Sequence, residues 1–215
     1  MRQACQTPTV QPSLARAAAV VLTGGASSRM GRHKPAIHVA GRAIVERVVG
    51  AVGGWPLVVV GSGAAVPEGT RVLSEEPPGG GPVAGIAAGW AALTTGTDAA
   101  GLAPSGPDVV LVLAGDLPFL TRAHLEALVA AADGSVAVTW SSTGPNWLCA
   151  AWPAELLRER LAAVGSPAGV SVRRLLGDVP RVEVRDEADV ATDVDTPEDL
   201  EAARRRADGS EAPGS

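Results

Sequence analysis

The run Val20-Val21-Leu22-Thr23-Gly24-Gly25-Ala26-Ser27-Ser28-Arg29-Met30-Gly31-Arg32-His33-Lys34-Pro35 passes from an apolar strand into a glycine-rich turn with separated cations. Glycine lacks a Cβ, so the N–H groups of such a turn can approach phosphate oxygens closely. Arg29 and Lys34 would add positive charge where a nucleoside triphosphate is most negative. The alternative, a bare strand-to-helix connection, requires neither the paired glycines nor the cations. Two other phosphate loops are excluded by spacing. Lys34 is followed by Pro35 rather than Ser or Thr, and Gly24 and Gly25 are adjacent with no acidic ribose partner about 20 residues on.

Carboxylates stand where such a turn would need them. Asp116 follows the apolar run Val109–Leu113, in Gly115-Asp116-Leu117-Pro118. Ligands of α/β folds bind just past the carboxyl ends of parallel strands, and Mg2+ takes one or two carboxylates together with substrate phosphates. Asp116 is therefore a candidate metal ligand, with an Asx turn or a cap for the helix after Thr121 as the other reading. Near the end of the chain, Asp193-Val194-Asp195-Thr196-Pro197 is a good helix start, which gives Asp195 and Thr196 a structural role of their own. Between these lies Glu75-Glu76-Pro77-Pro78-Gly79-Gly80-Gly81-Pro82. It reads either as a rigid connection or as backbone open to a planar or charged ligand, with Pro82 suited to a first helical turn. His33, His38 and His124 share no ligand spacing, and no Ser-His-Asp or Cys-His set is apparent, which agrees with chemistry lacking a covalent enzyme intermediate. His33 falls in the cation loop, within reach of phosphate, whereas His124 reads as a surface residue.

Elements that would position these groups alternate along the chain. Apolar runs at Ala18–Leu22, Leu57–Val60, Val109–Leu113 and Val136–Trp140 read as strands, the first three apolar throughout as in a parallel sheet covered on both faces. Helical patterns fall at Ala43–Val52, Val83–Leu93, Ala123–Ala132, Glu155–Val164 and Pro197–Arg206. This alternation predicts a single α/β domain over residues 17–206, with disordered tails at 1–16 and 207–215 and a surface loop at Thr94–Asp108. At 215 residues, 46% hydrophobic and net charge −5, the chain suits one core and is not basic enough for nucleic acid. A net negative protein that binds a triphosphate must gather cations locally or use a divalent metal. Two cysteines make neither a disulfide framework nor a zinc site, and no apolar run approaches the roughly 20 residues of a bilayer span, so a cytoplasmic protein without membrane contact is expected.

The pattern L-x-G-G-x-S-x-R-M-G-x-x-K-P on Leu22–Pro35 resembles the signature of sugar-nucleotide-type nucleotidyltransferases, and among them the molybdenum cofactor guanylyltransferases, or MobA family. Three further segments resemble that family in the same order. They are the Gly81-Pro82-Val83-Ala84-Gly85 block with Glu75 or Glu76 ahead of it, Gly115-Asp116-x-Pro118, and Asp193-x-Asp195-Thr196-Pro197-Glu198-Asp199-Leu200. Together they cover about residues 18–203. The resemblance implies a single Rossmann-like nucleotidyltransferase domain, with a mostly parallel central sheet flanked by helices. It implies transfer of GMP from GTP to molybdenum-molybdopterin, giving molybdopterin guanine dinucleotide and pyrophosphate. Arg29, Lys34 and Asp116 would be catalytic. Leu22, Thr23, Gly24, Gly25, Arg29, Gly31, Lys34, Glu75, Gly81, Pro82 and Asp116 would bind nucleotide, and Asp116 with Asp195, Asp193 behind it, would hold Mg2+. Molybdoenzyme assembly proteins are further candidate partners.

The chain departs from the family at Gly61, where relatives often carry asparagine, and at Asn146-Trp147-Leu148, where many show a basic residue with His-Pro or Gln-Pro-Leu. No pterin contact is assigned there; Trp147 and Trp152 read as core or pocket wall. Two alternatives stand beside the main reading. One is a cytidylyltransferase or another NTP transferase with a different phosphorylated acceptor, whose relatives tend to show Ala-Ala-Gly and Leu-Pro-Leu segments that this chain lacks. The other is a nucleotide-binding adaptor that has lost catalysis, against which Arg29, Lys34 and Asp116 argue.

Overall fold

Runs of Val, Leu and Ala too short for helices and bounded by turn residues form the centre of the molecule. The computed structural model describes residues 16–24, 34–95 and 106–210. Strands β1 (Ala17–Leu22), β4 (Leu57–Val60), β5 (Arg71–Leu73), β6 (Val109–Ala114), β7 (Val136–Ser141), β8 (Gly144–Pro153) and β9 (Arg181–Arg185) make one sheet in the order β5-β4-β1-β6-β8-β7-β9. A small hairpin, β2 (His38–Val39) with β3 (Arg42–Ala43), precedes β4. The β4, β1 and β6 pairings are parallel, as the apolar runs require, and β8 runs antiparallel between β6 and β7.

The chain builds outward from β1 through β4 to β5, then returns to place β6 on the other side of β1. The strand order therefore reverses between β1 and β6, and a crevice opens beyond their carboxyl ends, where open α/β sheets receive ligands. Thr23, Gly24 and Asp116 all lie at that edge.

Both faces of the sheet are covered, so alternate residues of β1 enter different cores. Ala18, Val20 and Leu22 pack on the side of α2 (Pro82–Thr95), α4 (Ala154–Val164) and α5 (Val172–Leu176). Ala17, Ala19 and Val21 face α1 (Ile44–Val52) and α3 (Arg122–Ala131). Helix α2 lies close on β1 at Gly89, where a Cβ would stand 2.4 Å from Val20 Cγ1.

Several expectations are corrected. Strands β5, β8 and β9 and helix α5 add to the elements expected from periodicity. The final helix, α6 (Pro197–Ser210), passes the expected end at Arg206 because Ala203 and Ala207 bury against Val39, Ile44 and Val194, so residues 207–210 are helix rather than tail. Arg16, assigned to the leading tail, is fixed by a hydrogen bond to the Gly106 carbonyl (2.9 Å) and an ion pair with Asp108 (3.2 Å). Most of the Thr94–Asp108 loop lies outside the described residues, while Thr94 and Thr95 belong to α2. No helix among the described residues is long and apolar enough to cross a membrane.

Candidate active site

The carboxyl end of β1 is held to both neighbours. Thr23 N–H donates to the Val60 carbonyl (2.9 Å), the Thr23 hydroxyl donates to the Ser62 carbonyl (2.8 Å), and Gly115 N–H donates to the Leu22 carbonyl (2.8 Å). Thr23 is buried, so its hydroxyl anchors the strand end and is spent on the backbone. Gly61 explains its own identity. Its φ of +119° and the 2.4 Å and 2.8 Å that would separate a Cβ from Gly24 N and Cα leave no room for asparagine, so the departure from the family follows from close packing of the residue after β4 against Gly24.

A cavity of about 770 Å3 opens above this platform, lined by Leu22, Thr23, Gly24, Lys34, Glu75, Gly81, Pro82 and Asp116. These are the nucleotide-binding candidates that fall within the described residues. Gly25, Arg29 and Gly31 lie outside them, as does His33. Pro35, Gly79 and Gly85 of the same motifs also line it, together with Val60, Ala114 and Leu148, apolar residues to which the sequence gives no site role. Between the two glutamates the geometry selects Glu75, whose carboxylate accepts from Gly79 N–H (3.2 Å) and lies opposite Gly24, whereas Glu76 is exposed.

The acidic residues resolve similarly. The cap of α3 is Thr121, whose hydroxyl accepts from His124 N–H (3.3 Å), so Asp116 does not serve that helix. Asp116 Oδ1 is buried with no hydrogen-bond partner. Burial first, then the charge of Asp193, raises the Asp116 carboxyl from 3.8 to about 6, with Lys34 pulling the other way and Asp195 adding to the rise. At α6, Asp199 Oδ2 accepts from the N–H groups of Asp195 (3.1 Å) and Thr196 (2.8 Å), and Thr196 Oγ1 accepts from Asp199 N–H (3.1 Å). That reciprocal cap leaves the Asp195 carboxylate free of helix duty, and it pairs with Lys34 Nζ. Asp193, ranked behind Asp195 from sequence, is the carboxylate that acts more strongly on Asp116, and its own carboxyl is raised by burial and by Asp195.

A second cavity, of about 590 Å3, adjoins the first and shares Asp116, Ala114 and Leu148 with it. Its walls come from the β7–β8 turn, the start of α5 and the segment before α6. Four carboxylates line it, Asp116, Asp189, Asp193 and Asp195, against a single cation among the described residues, Arg173. Sequence reasoning leaves this cavity unassigned. Trp147 stands in its wall and Trp152 is fully buried core. His124, expected at the surface, is half-buried and bonds Thr139 Oγ1 (2.8 Å). Cys149 is buried on β8, with its thiol pushed up to about 12 by burial.

Mg2+ fits the donor set. Asp116 has a buried carboxylate oxygen without a partner, and its carboxyl is raised by burial and then by Asp193 and Asp195; it offers a hard oxygen ligand whose charge a divalent cation would neutralise. Among the described residues no group of three or more His, Cys, Asp or Glu is placed to hold a metal ion by itself.

Residues 19–184 match the family model of the MobA-like NTP transferase domain. The chain belongs to this family. It is a nucleotidyltransferase by that membership, and the matched span includes Thr23, Gly24, Lys34, Glu75 and Asp116 but ends before Asp193 and Asp195. It is 30% identical to a molybdenum cofactor guanylyltransferase of Rhodobacter capsulatus over 198 residues, which is 89% of this chain and 96% of that protein. It is 33% identical to a protein of the same name from Sinorhizobium fredii over 147 residues, 64% of each chain, so the match spans less than two thirds of that relative. The fold is shared with the crystal structure of molybdopterin-guanine dinucleotide biosynthesis protein A from Archaeoglobus fulgidus (TM-score 0.68, 20% identity, 89% of this chain and 99% of that one). It is shared too with 2-C-methyl-D-erythritol 4-phosphate cytidylyltransferase from Thermus thermophilus (TM-score 0.62, 20% identity, 88% of this chain and 98% of that one).

Proposed function

We propose that this nucleotidyltransferase moves GMP from GTP to molybdenum-molybdopterin, forming molybdopterin guanine dinucleotide and pyrophosphate. The observation that carries the reading is the pair of adjoining cavities that meet at Asp116, one floored by the β1 turn and the other walled by β8 and α5. A transferase needs two substrates whose reacting phosphates converge at one charged edge, and this arrangement provides it. The names of the relatives support the guanylyl donor and the pterin acceptor.

In this reading an oxygen of the acceptor's terminal phosphate bonds to the α-phosphorus of GTP, and the bond from that phosphorus to the bridging oxygen of the β-phosphate breaks, releasing pyrophosphate. The acceptor phosphate is largely ionised at neutral pH, its second pKa being about 6, so no protein base is required. The chain contributes position and charge. Gly24 and Gly81, which line the first cavity, would let backbone approach the nucleotide, Lys34 there and Arg29 from sequence would neutralise its phosphates, and Arg173 in the wall of the second would meet the acceptor's anion. Asp116, with Asp195 or Asp193 as its second carboxylate, would hold Mg2+, which when bound supplies Lewis-acid neutralisation of the α-phosphate. A cytoplasmic location, and molybdoenzyme assembly proteins as recipients of the product, belong to the same proposal.

Titration calorimetry with GTP, CTP, ATP and UTP, each with Mg2+, tests the donor. Tightest binding of GTP is expected. Preference for CTP would move the chain to the cytidylyl reading that the Thermus thermophilus fold neighbour keeps open; absence of Mg2+-dependent binding would favour the adaptor.

A further inference from the structure

Two carboxylates of the site, Asp193 and Asp195, are carried on an irregular segment between β9 and α6, and irregular backbone places a side chain only as well as it is anchored. That segment begins with Asp186, a charged residue only 6% exposed. A buried carboxylate must be satisfied by donors. Here they come from the segment itself: Asp186 Oδ1 accepts from Val190 N–H (2.9 Å) and Oδ2 from Ala191 N–H (2.7 Å), while Asp186 N–H donates to the Trp140 carbonyl of β7 (2.9 Å). The carboxylate thereby folds residues 186–191 into a closed turn fastened to the sheet.

The next anchor is Asn146 on β8. Its Nδ2 donates to the Ala191 carbonyl (2.9 Å), and its Oδ1 accepts from Leu148 N–H (3.0 Å), so both ends of the amide are engaged and its orientation is fixed. Ala191 is thus held from both sides of one residue, by Asp186 at its N–H and by Asn146 at its carbonyl. Two residues on stands Asp193, and Val194 N–H then donates to the backbone carbonyl of Asp116 (3.2 Å). Arg206 of α6 adds a clamp from outside, donating to the carbonyls of Ala188 and Asp189 (2.8 Å each).

We infer that Asp186 and Asn146 form a positioning pair that acts through Ala191 to set Asp193 against Asp116, and so to set the metal affinity of the site. Asp186 lines neither cavity, and Asn146, which lines the second, bears on the metal only through Ala191. The inference rests on the nucleotidyl-transfer reading above, and it gives Asn146 a task other than contact with the acceptor.

The test uses Asp186→Asn, Asn146→Ala and the double variant of the full chain. Mn2+ binding in the presence of GTP is followed by electron paramagnetic resonance, and GTP binding without metal and thermal unfolding are measured on the same samples. Outer-shell partners of ligating carboxylates typically affect metal affinity by about 10-fold to 100-fold. A loss of at least about 10-fold in Mn2+ affinity is expected in each single variant, with metal-free GTP binding unchanged. Because both residues act through Ala191, the double variant should lose little more than the worse single one. Asn146→Ala removes no buried charge, so it keeps the test decisive if Asp186→Asn folds poorly. Folded variants that bind Mn2+–GTP like the wild type, or losses that simply multiply, overturn the inference while leaving the transferase reading intact. A wild-type protein that binds no Mn2+–GTP overturns the transferase reading and this inference with it.

Discussion

Replacement of Asp116 by asparagine should make the metal-free protein more stable and functionally inert. The Asp116 carboxyl is raised from 3.8 to about 6. At roughly 1.4 kcal/mol for each tenfold change in proton affinity, that displacement corresponds to about 3 kcal/mol. The sign follows from linkage. Below about pH 4 the folded and unfolded chains both hold the proton and the site costs nothing. As pH rises from about 4 to 6 the unfolded chain ionises first, so stability falls, and above about pH 6 the full cost is present. The neutral amide of the variant would carry no charge to desolvate. In EDTA, urea unfolding followed by tryptophan fluorescence should therefore show Asp116→Asn gaining on the wild type by up to about 3 kcal/mol between pH 4 and pH 8. The pH dependence of the difference, rather than its value at one pH, isolates the charge from any change in packing. With GTP and Mg2+ at about 100 times Kd, the wild type should recover about 2.7 kcal/mol and the variant should not. A stability difference that stays flat from pH 4 to pH 8 would refute the placement of Asp116 as a destabilised, ligand-seeking carboxylate.

Two further substitutions separate the platform from the acceptor side. Gly61→Ala forces a Cβ to within 2.4 Å of Gly24 N at a φ of +119°, so calorimetry should show weakened GTP binding, and unfolding a loss of at least about 1–3 kcal/mol; unchanged GTP affinity would show that the loop does not depend on this contact. Arg173→Ala removes the described cation of the second cavity. The KM for the acceptor should rise about tenfold or more while the Kd for GTP stays constant, since a hydrogen bond to a charged group contributes about 1.5–3 kcal/mol; a parallel change in GTP affinity would place Arg173 on the wrong substrate.

What could be read from sequence was local. The runs of β1, β4 and β6 announced themselves because strands covered on both faces must be apolar throughout, and Thr121 and Thr196 marked helix starts by their own chemistry. Strand β8 hid behind Pro145 and Gly144 and a mixed composition, and β9, Arg-Val-Glu-Val-Arg, is an edge strand whose charges blur its pattern. The site's long-range chemistry was hidden for another reason. Lys34 and Asp195 are 161 residues apart, and the segment after the edge strand β9 brings them together by returning across the sheet to dock Val194 N–H on the Asp116 carbonyl. Likewise, spacing could not rank Asp193 against Asp195, because two carboxylates separated by one residue differ in direction rather than in type.

The most direct test of the central claim is a turnover assay with the purified protein, molybdenum-molybdopterin, Mg2+ and each of the four nucleoside triphosphates, scored by mass spectrometry of the dinucleotide and by pyrophosphate release. GTP should give molybdopterin guanine dinucleotide with one pyrophosphate per product, and Asp116→Asn should give none. Product formed preferentially from CTP, or equal turnover by the Asp116 variant, would contradict the account.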